Sequence, residues 1–187
     1  MLIHLIRHTT PNIESGICYG QKNLTLADTF LQEKKLIIKH LIAHYNIVYS
    51  SPLQRCKKLA QTIKADHLSL EADLMEVNFG DWEGVAWNDI PRSKSQAWMD
   101  DFVNIAPPNG ESLLQMQLRV QGFINQHIEP NQHEHIAIVT HAGVIRLFFA
   151  WVLNIPLQDI FKIKLDYGTV IEMDYQGIEL GATMRFL

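Results

Sequence analysis

Met1-Leu-Ile-His-Leu-Ile-Arg-His-Thr-Thr10 opens the chain. Leu2, Ile3, Leu5 and Ile6 form an apolar run too short for a helix. It is rich enough in branched residues for a strand buried on both faces, which belongs in a parallel sheet covered by helices. The run stops at Arg7-His8. A cation and an imidazole therefore stand at the C-terminal end of a core strand, the edge of an open α/β sheet where ligands bind. Taken alone, the dipeptide reads equally well as a strand that simply ends in polar residues.

Working outward, the same strand-to-helix pattern recurs. Asn46–Ser50 reads as a strand, and Ser51-Pro52 starts a helix to about Ala65, with serine at the N-cap and proline at the first helical position. Arg55 then falls at the fourth helical position and leans back toward the strand end. His135–Thr140 is a third core strand, ending in His141 and followed by an apolar helix to about Leu153. Between these lie a long loop from Thr9 to Leu26 and a helix capped by Thr25 or Asp28 that runs to about Tyr45. A short strand follows at His67–Leu70. A helix over Ser93–Val103 carries Trp98, Met99 and Phe102, where the tryptophan and methionine read as core. A long helix opens at Glu111-Ser112 and is stopped by Pro130. Asp159–Leu165, Thr169–Tyr175 and Ile178–Met184 are expected to close the sheet, with Gln176-Gly177 as a hairpin turn. The alternation predicts an α/β three-layer sandwich: a mostly parallel, mixed central sheet with helices on both faces, in one domain over residues 1–187.

Composition narrows the function. The 187 residues are 47% apolar and 19% charged, and net charge is −4, which argues against a broad nucleic-acid or acidic-membrane surface. The two cysteines, Cys18 and Cys56, form no CxxC pair and indicate no disulfide framework. The longest uncharged apolar stretch, Leu147 to Leu157, contains Asn154 and Pro156 and cannot span a bilayer. The expectation is a soluble, cytoplasmic protein. His127, His133 and His135 read as surface histidines rather than metal ligands.

The candidate chemistry follows from the strand ends. Arg7, His8, Arg55 and His141 project toward one sheet edge. Two guanidinium forks suit the oxygens of a phosphoryl group. One imidazole can attack phosphorus, and the other can donate to the equatorial oxygens. Leu74-Met-Glu-Val-Asn-Phe-Gly-Asp-Trp-Glu-Gly84 sets Glu76 and Glu83 among aromatic and aliphatic residues. Such surroundings fit a carboxyl for proton donation to a departing alkoxide; both glutamates could equally be surface groups near a tight turn.

Five motifs together carry a resemblance: Leu5-Ile-Arg-His-Thr9, Ser50-Ser-Pro-Leu-Gln-Arg-Cys56, the Leu74–Gly84 stretch, Pro107-Pro-Asn-Gly-Glu-Ser112 and Thr140-His-Ala-Gly-Val-Ile-Arg146. In that order the chain resembles the histidine phosphatase superfamily, which includes the cofactor-dependent phosphoglycerate mutases. The resemblance implies a phosphomonoesterase with a phosphohistidine on His8. Arg7, Arg55 and His141 would hold the phosphate and Glu76 would donate the proton. Glu83 would be a supporting group, and no metal or cofactor would be needed. Common members read Arg-His-Gly-Glu-Thr with a phosphate-contacting asparagine six residues after the histidine. Here Thr9 and Thr10 replace Gly-Glu and Glu14 stands at the asparagine position, so Thr9, Asn12 or Gln21 would substitute. Arg-His-Thr with a Gly16-Ile-Cys-Tyr-Gly20 stretch is similar to the α-ribazole phosphatase branch, which implies a small phosphate-ester substrate from cobalamin lower-ligand assembly. A phosphoglycerate mutase, or a non-catalytic phosphate- or protein-binding module on the same fold, is the alternative. The oligomeric state is not legible.

Overall fold

The structure is a computed structural model and describes residues 1–130, 132–177 and 181–187. The opening apolar run forms strand β1, Leu2–Arg7, and five more strands follow: β2 (Tyr45–Ser50), β3 (Ala65–Leu70), β4 (His135–Thr140), β5 (Val170–Tyr175) and β6 (Ala182–Phe186). They make one sheet in the order β3-β2-β4-β1-β5-β6. Neighbours from β3 through β1 run parallel, while β5 is antiparallel to both β1 and β6.

Strand alternation sends successive side chains to opposite faces. Ile3 and Leu5 of β1 and Ile136 and Ile138 of β4 join one apolar cluster, and Ile6, Ala137 and Val139 join the other. The first cluster is completed by α4 (Leu113–Phe123) and α5 (Ala142–Leu153), the second by α1 (Phe30–Ile38) and α2 (Gln54–Ala60). The result is the expected three-layer α/β arrangement. A further helix, α3 (Arg92–Asp100), packs Trp98 toward a satellite cluster around Cys18, Trp82 and Ile90. Helix α4 starts from a capping box in which the Gln115 amide donates to Ser112 Oγ at 3.2 Å while Gln115 Oε1 accepts from the Ser112 amide at 2.8 Å. It runs on as a π-helical turn over Ile124–Ile128.

Several boundaries differ from the sequence reading. Asp159–Leu165 is not a strand: Leu157–Lys162 is a 3-10 helix, with Pro156 at its N-cap and an Asp159–Lys162 ion pair at 2.6 Å one turn apart. The closing strand is Ala182–Phe186 rather than Ile178–Met184, whose residues 178–180 lie outside the described residues. Helix α1 has Thr29 at its N-cap rather than Thr25 or Asp28, starts at Phe30 and ends seven residues short of Tyr45. Its apolar residues do not share a face, since Leu31 and Leu36 are 61% and 58% exposed and only Ile37 is buried. Helix α3 stops before Val103 because the carbonyls of Phe102 and Val103 accept the first amides of α4, from Leu113 and Leu114.

Candidate active site

The site is a consequence of sheet register. Arg7 pairs with Thr140, and Ser50 with Val139, so β1, β4 and β2 end level with one another. The His8 amide still donates to the Thr140 carbonyl at 3.0 Å and the Ser51 amide to the Val139 carbonyl at 3.0 Å. Because β4 lies between β2 and β1, the first residue beyond it, His141, sits between Ser51 and His8. The His8 and His141 rings meet edge to face with centroids 5.0 Å apart.

His8 is 1% exposed. Its Nδ1–H donates to the Thr9 carbonyl at 2.6 Å, which leaves the Nε2 lone pair free to accept from Arg55 Nε–H at 3.3 Å. Burial, and then the Arg55 guanidinium, hold this imidazole well below the usual histidine range; the Thr9 hydrogen bond acts the other way but does not prevail. His141 is fully buried and is also held well below that range, by burial first and then by His8 and Arg55. Its Nε2 lies 2.8 Å from Ser51 Oγ and 3.4 Å from Cys56 Sγ.

Helix α2 does not start at Ser51-Pro52, although Ser51 Oγ accepts from the Leu53 amide at 3.4 Å as well as meeting His141. Ser51 Oγ is engaged by His141, Leu53 stays extended, and the first helical amide, from Gln54, is capped instead by Asn23 Oδ1 at 2.8 Å from the Thr9–Leu26 loop. Arg55 is therefore the second helical residue rather than the fourth. It is still fully buried, and its Nη1 and Nη2 donate to the carbonyls of Lys22 at 2.8 Å and Gly20 at 2.6 Å. The helix likewise ends at Ala60 rather than Ala65, where β3 begins.

Arg7 Nη1 donates to the Leu165 carbonyl, and its guanidinium carbon lies 4.1 Å from the centre of the Tyr167 ring. Glu76 reaches in from the other side. Its Oε1 accepts from the Val77 amide at 3.0 Å and its Oε2 from the Gly143 amide at 3.3 Å. A Cβ on Gly143 would stand 2.2 Å from Glu76 Oε1, so the carboxylate fits because that residue has none. The Glu76 carbonyl accepts from Gln21 Nε2 and from Arg119 Nη2, each at 3.0 Å. Arg119 is itself fixed by two bonds to the Glu111 carboxylate, at 3.0 and 2.7 Å.

The remaining candidates separate. Thr9 is fully buried, and its hydroxyl has no partner among the described residues. Gln21 spends its side chain on the Glu76 backbone. Asn12 is exposed, and its amide is bonded to the Thr25 carbonyl. Glu83 Oε1 accepts from the amides of Gln21 at 2.8 Å and Phe79 at 3.1 Å, which ties the Thr9–Leu26 loop to the Glu76 segment.

A cavity of about 200 Å³ opens beside Arg7, Glu76 and Gly143. Phe79, Trp87, Trp98 and Phe161 wall it, so Trp98 both packs on the satellite cluster and lines the cavity, while Met99, expected in the core, is 55% exposed. Arg146 also lines it. Its Nε donates to the Ile163 carbonyl at 3.0 Å, and its terminal nitrogens bond no acceptor among the described residues. Ser51, Arg119, Gly143, Arg146 and Tyr167 escape the sequence reading. Of these only Arg146 left a signal, a cation one turn and a residue beyond a strand-end histidine. Among the described residues no group of three or more His, Cys, Asp or Glu side chains is gathered to hold a metal ion, and no helix is long and apolar enough to cross a membrane.

The sequence profile of the histidine phosphatase superfamily (branch 1) matches residues 3–183. The adenosylcobalamin/alpha-ribazole phosphatase of Escherichia coli (strain K12) is 27% identical over 198 residues, covering 100% of this chain and 95% of that protein. Phosphoserine phosphatase 1 of Hydrogenobacter thermophilus is 24% identical, covering 91% of this chain and 85% of that protein. In three dimensions the chain superimposes on the crystal structure of the alpha-ribazole phosphatase from Shigella flexneri with a TM-score of 0.89 at 26% identity, covering 100% of this chain and 96% of that one.

Proposed function

The chain belongs to the histidine phosphatase superfamily, and on that footing we propose that it is a phosphomonoesterase that works through a phosphohistidine on His8. The observation that carries the reading is the state of His8: a neutral imidazole with Nδ1 committed to the Thr9 carbonyl and Nε2 left with its lone pair beside Arg55. In the first step Nε2 attacks phosphorus and the bond to the ester oxygen breaks. Glu76 gives its proton to the departing alcohol. In the second step Glu76 takes a proton from water as the water oxygen attacks the phosphohistidine. Inorganic phosphate leaves and His8 is restored. Arg7 and Arg55 bind the phosphoryl oxygens, and His141 donates to the charge that builds on them. No step in this scheme calls on a metal or a cofactor.

For the substrate we favour α-ribazole 5′-phosphate, with α-ribazole as the departing alcohol. Two relatives whose names carry that activity support it, and the aromatic walls of the cavity suit a flat, apolar base. A second reading, an amino-acid phosphate such as phosphoserine, is favoured by Arg146. Its terminal nitrogens could take a carboxylate at the cavity wall. Turnover of α-ribazole 5′-phosphate, O-phosphoserine, 3-phosphoglycerate and p-nitrophenyl phosphate in the presence of chelator separates these. His8→Ala is expected to be folded and inactive, and wild type is expected to yield acid-labile, base-stable phosphate on rapid quench. Turnover by His8→Ala, with no trapped phosphate in wild type, overturns the mechanism.

A further inference from the structure

We propose that Tyr19 and Tyr167 are positioning residues of this site, a paired-hydroxyl clasp that parts to let a phosphate ester reach His8 Nε2. The inference rests on the assignment of His8 as the nucleophile. Four observations carry it.

First, the nucleophile is shut away: His8 is 1% exposed, and Arg55 and His141 are fully buried. Second, the two tyrosines come from segments far apart in sequence and meet hydroxyl to hydroxyl at 2.8 Å. Third, each ring covers a member of the site. Tyr167 lies 5.5 Å from the His8 ring and 4.1 Å from the Arg7 guanidinium carbon, and Tyr19 lies 5.2 Å from that of Arg55. Fourth, the two arginines also hold the backbone on which the tyrosines ride. Arg7 donates to the Leu165 carbonyl, two residues before Tyr167. Arg55 donates to the Gly20 and Lys22 carbonyls, one and three residues after Tyr19.

A consequence follows from the donor count. Arg55 has five N–H groups, and three are engaged with His8, Gly20 and Lys22. A phosphoryl group is a stronger partner for a guanidinium than a peptide carbonyl is. Two Arg55 donors remain for a phosphoryl group, and a phosphate that takes a third competes with the contacts that hold the Tyr19 loop closed. Binding and opening then meet at the same guanidinium. Burial, and then the Tyr167 hydrogen bond, push the Tyr19 phenol above its ordinary value, so its hydroxyl keeps its proton through the physiological range.

The test uses two readouts on the full chain: carbethoxylation of His8 by diethylpyrocarbonate, followed residue by residue by mass spectrometry, and kcat/KM for p-nitrophenyl phosphate. Tyr19→Phe and Tyr167→Phe keep the rings and remove one hydroxyl each. Each is expected to speed His8 modification about fivefold, the change that a hydrogen bond of about 1 kcal/mol gives at 1.36 kcal/mol per tenfold. The double variant is expected to go no further, because one missing hydroxyl already breaks the pair. Inorganic phosphate is expected to protect His8 in all four proteins. Tyr167→Ala, which also removes the ring under Arg7, is expected to weaken that protection several-fold, and Tyr167→Phe is not. Unchanged His8 reactivity in both single variants, or additive gains in the double variant, overturns the clasp. Absence of turnover in wild type would instead count against the phosphatase reading and leaves the labelling result to stand by itself.

Discussion

Gly143→Ala isolates the placement of the proton donor. Gly143 is the second residue of α5, and an added Cβ would lie 2.2 Å from Glu76 Oε1 and 3.0 Å from Met116 Cε. The carboxylate has to move, and in moving it gives up the Gly143 and Val77 amides. Alanine in a helix is favoured over glycine by about 0.5–1 kcal/mol, and loss of the two carboxylate bonds costs about 1–3 kcal/mol. The net is a destabilisation of about 0–2.5 kcal/mol, or a drop in Tm below about 10 °C for a domain of this size. Activity responds on a different scale. General acid catalysis is worth about 10²–10⁴-fold, so an alkyl phosphate, whose alcohol needs the proton, is expected to lose about 100-fold or more in kcat/KM. p-Nitrophenyl phosphate, whose phenolate departs without one, is expected to lose far less. Glu76→Gln is expected to show the same contrast, and adding Gly143→Ala to it is expected to change little, since both act on one group. The measurement is kcat/KM for both substrates in the three variants, with Tm from calorimetry. Gly143→Ala within threefold of wild type on the alkyl phosphate, or equal losses on both substrates, refutes the reasoning.

Other expectations follow from the same geometry. Glu83→Gln is expected to show no leaving-group contrast, because Glu83 holds the amides of Gln21 and Phe79 and is given no part in proton delivery; a contrast there in paired kinetics would exchange the two glutamates. Arg55→Lys is expected to be nearly as damaging as Arg55→Ala, since a lysine cannot span His8, Gly20 and Lys22 together; a lysine variant within a few-fold of wild type in kcat/KM would count against the fork. The pH dependence is expected to lack the ordinary histidine inflection. With His8 held well below 6.5, its proton is lost before neutrality is approached, so kcat/KM falls only at more acid pH, after correction for the phosphate's own ionisation near about 6. Stability follows the same sign. The unfolded chain binds more protons than the folded one at His8 and His141, so their contribution is complete above 6.5 and declines as pH falls through it. Urea unfolding at a series of pH values, showing no loss between pH 7 and 5, would contradict that linkage.

What the sequence discloses here is the set of strand ends, because an apolar run that halts at a polar residue reports both burial and edge at once. Arg7, His8 and His141 lie where that logic puts them. Ser51 misleads for a physical reason: its hydroxyl also meets a histidine ninety residues away, Leu53 stays extended, and the Gln54 amide is capped by Asn23 from a distant loop, and no local pattern records those contacts. Asp159–Leu165 misleads because branched and aromatic residues at close spacing suit a short helical turn that buries one side chain, here Ile160, as well as a strand. Gly143 and Tyr167 are invisible for a third reason. One matters for the side chain it lacks, and the other for an approach to His8 made by a loop from the far end of the chain.

The position of β4 has a further consequence, for how the protein comes to exist at all. The strand that carries His141 is inserted between β2 and β1, and its first residue, His135, pairs with Leu2. Until synthesis has passed Thr140, β1 and β2 share no hydrogen bonds with each other, and each presents an unpaired apolar flank. Closing so long a loop is entropically slow, and open strand edges are where chains stick to their neighbours. A chain released before β4 is complete holds Arg7, His8 and Arg55 but has nothing to hold them in register. Arg7 and His8 come into register with Arg55 only once the central strand is seated, and Arg7 gains its Leu165 and Tyr167 contacts later still.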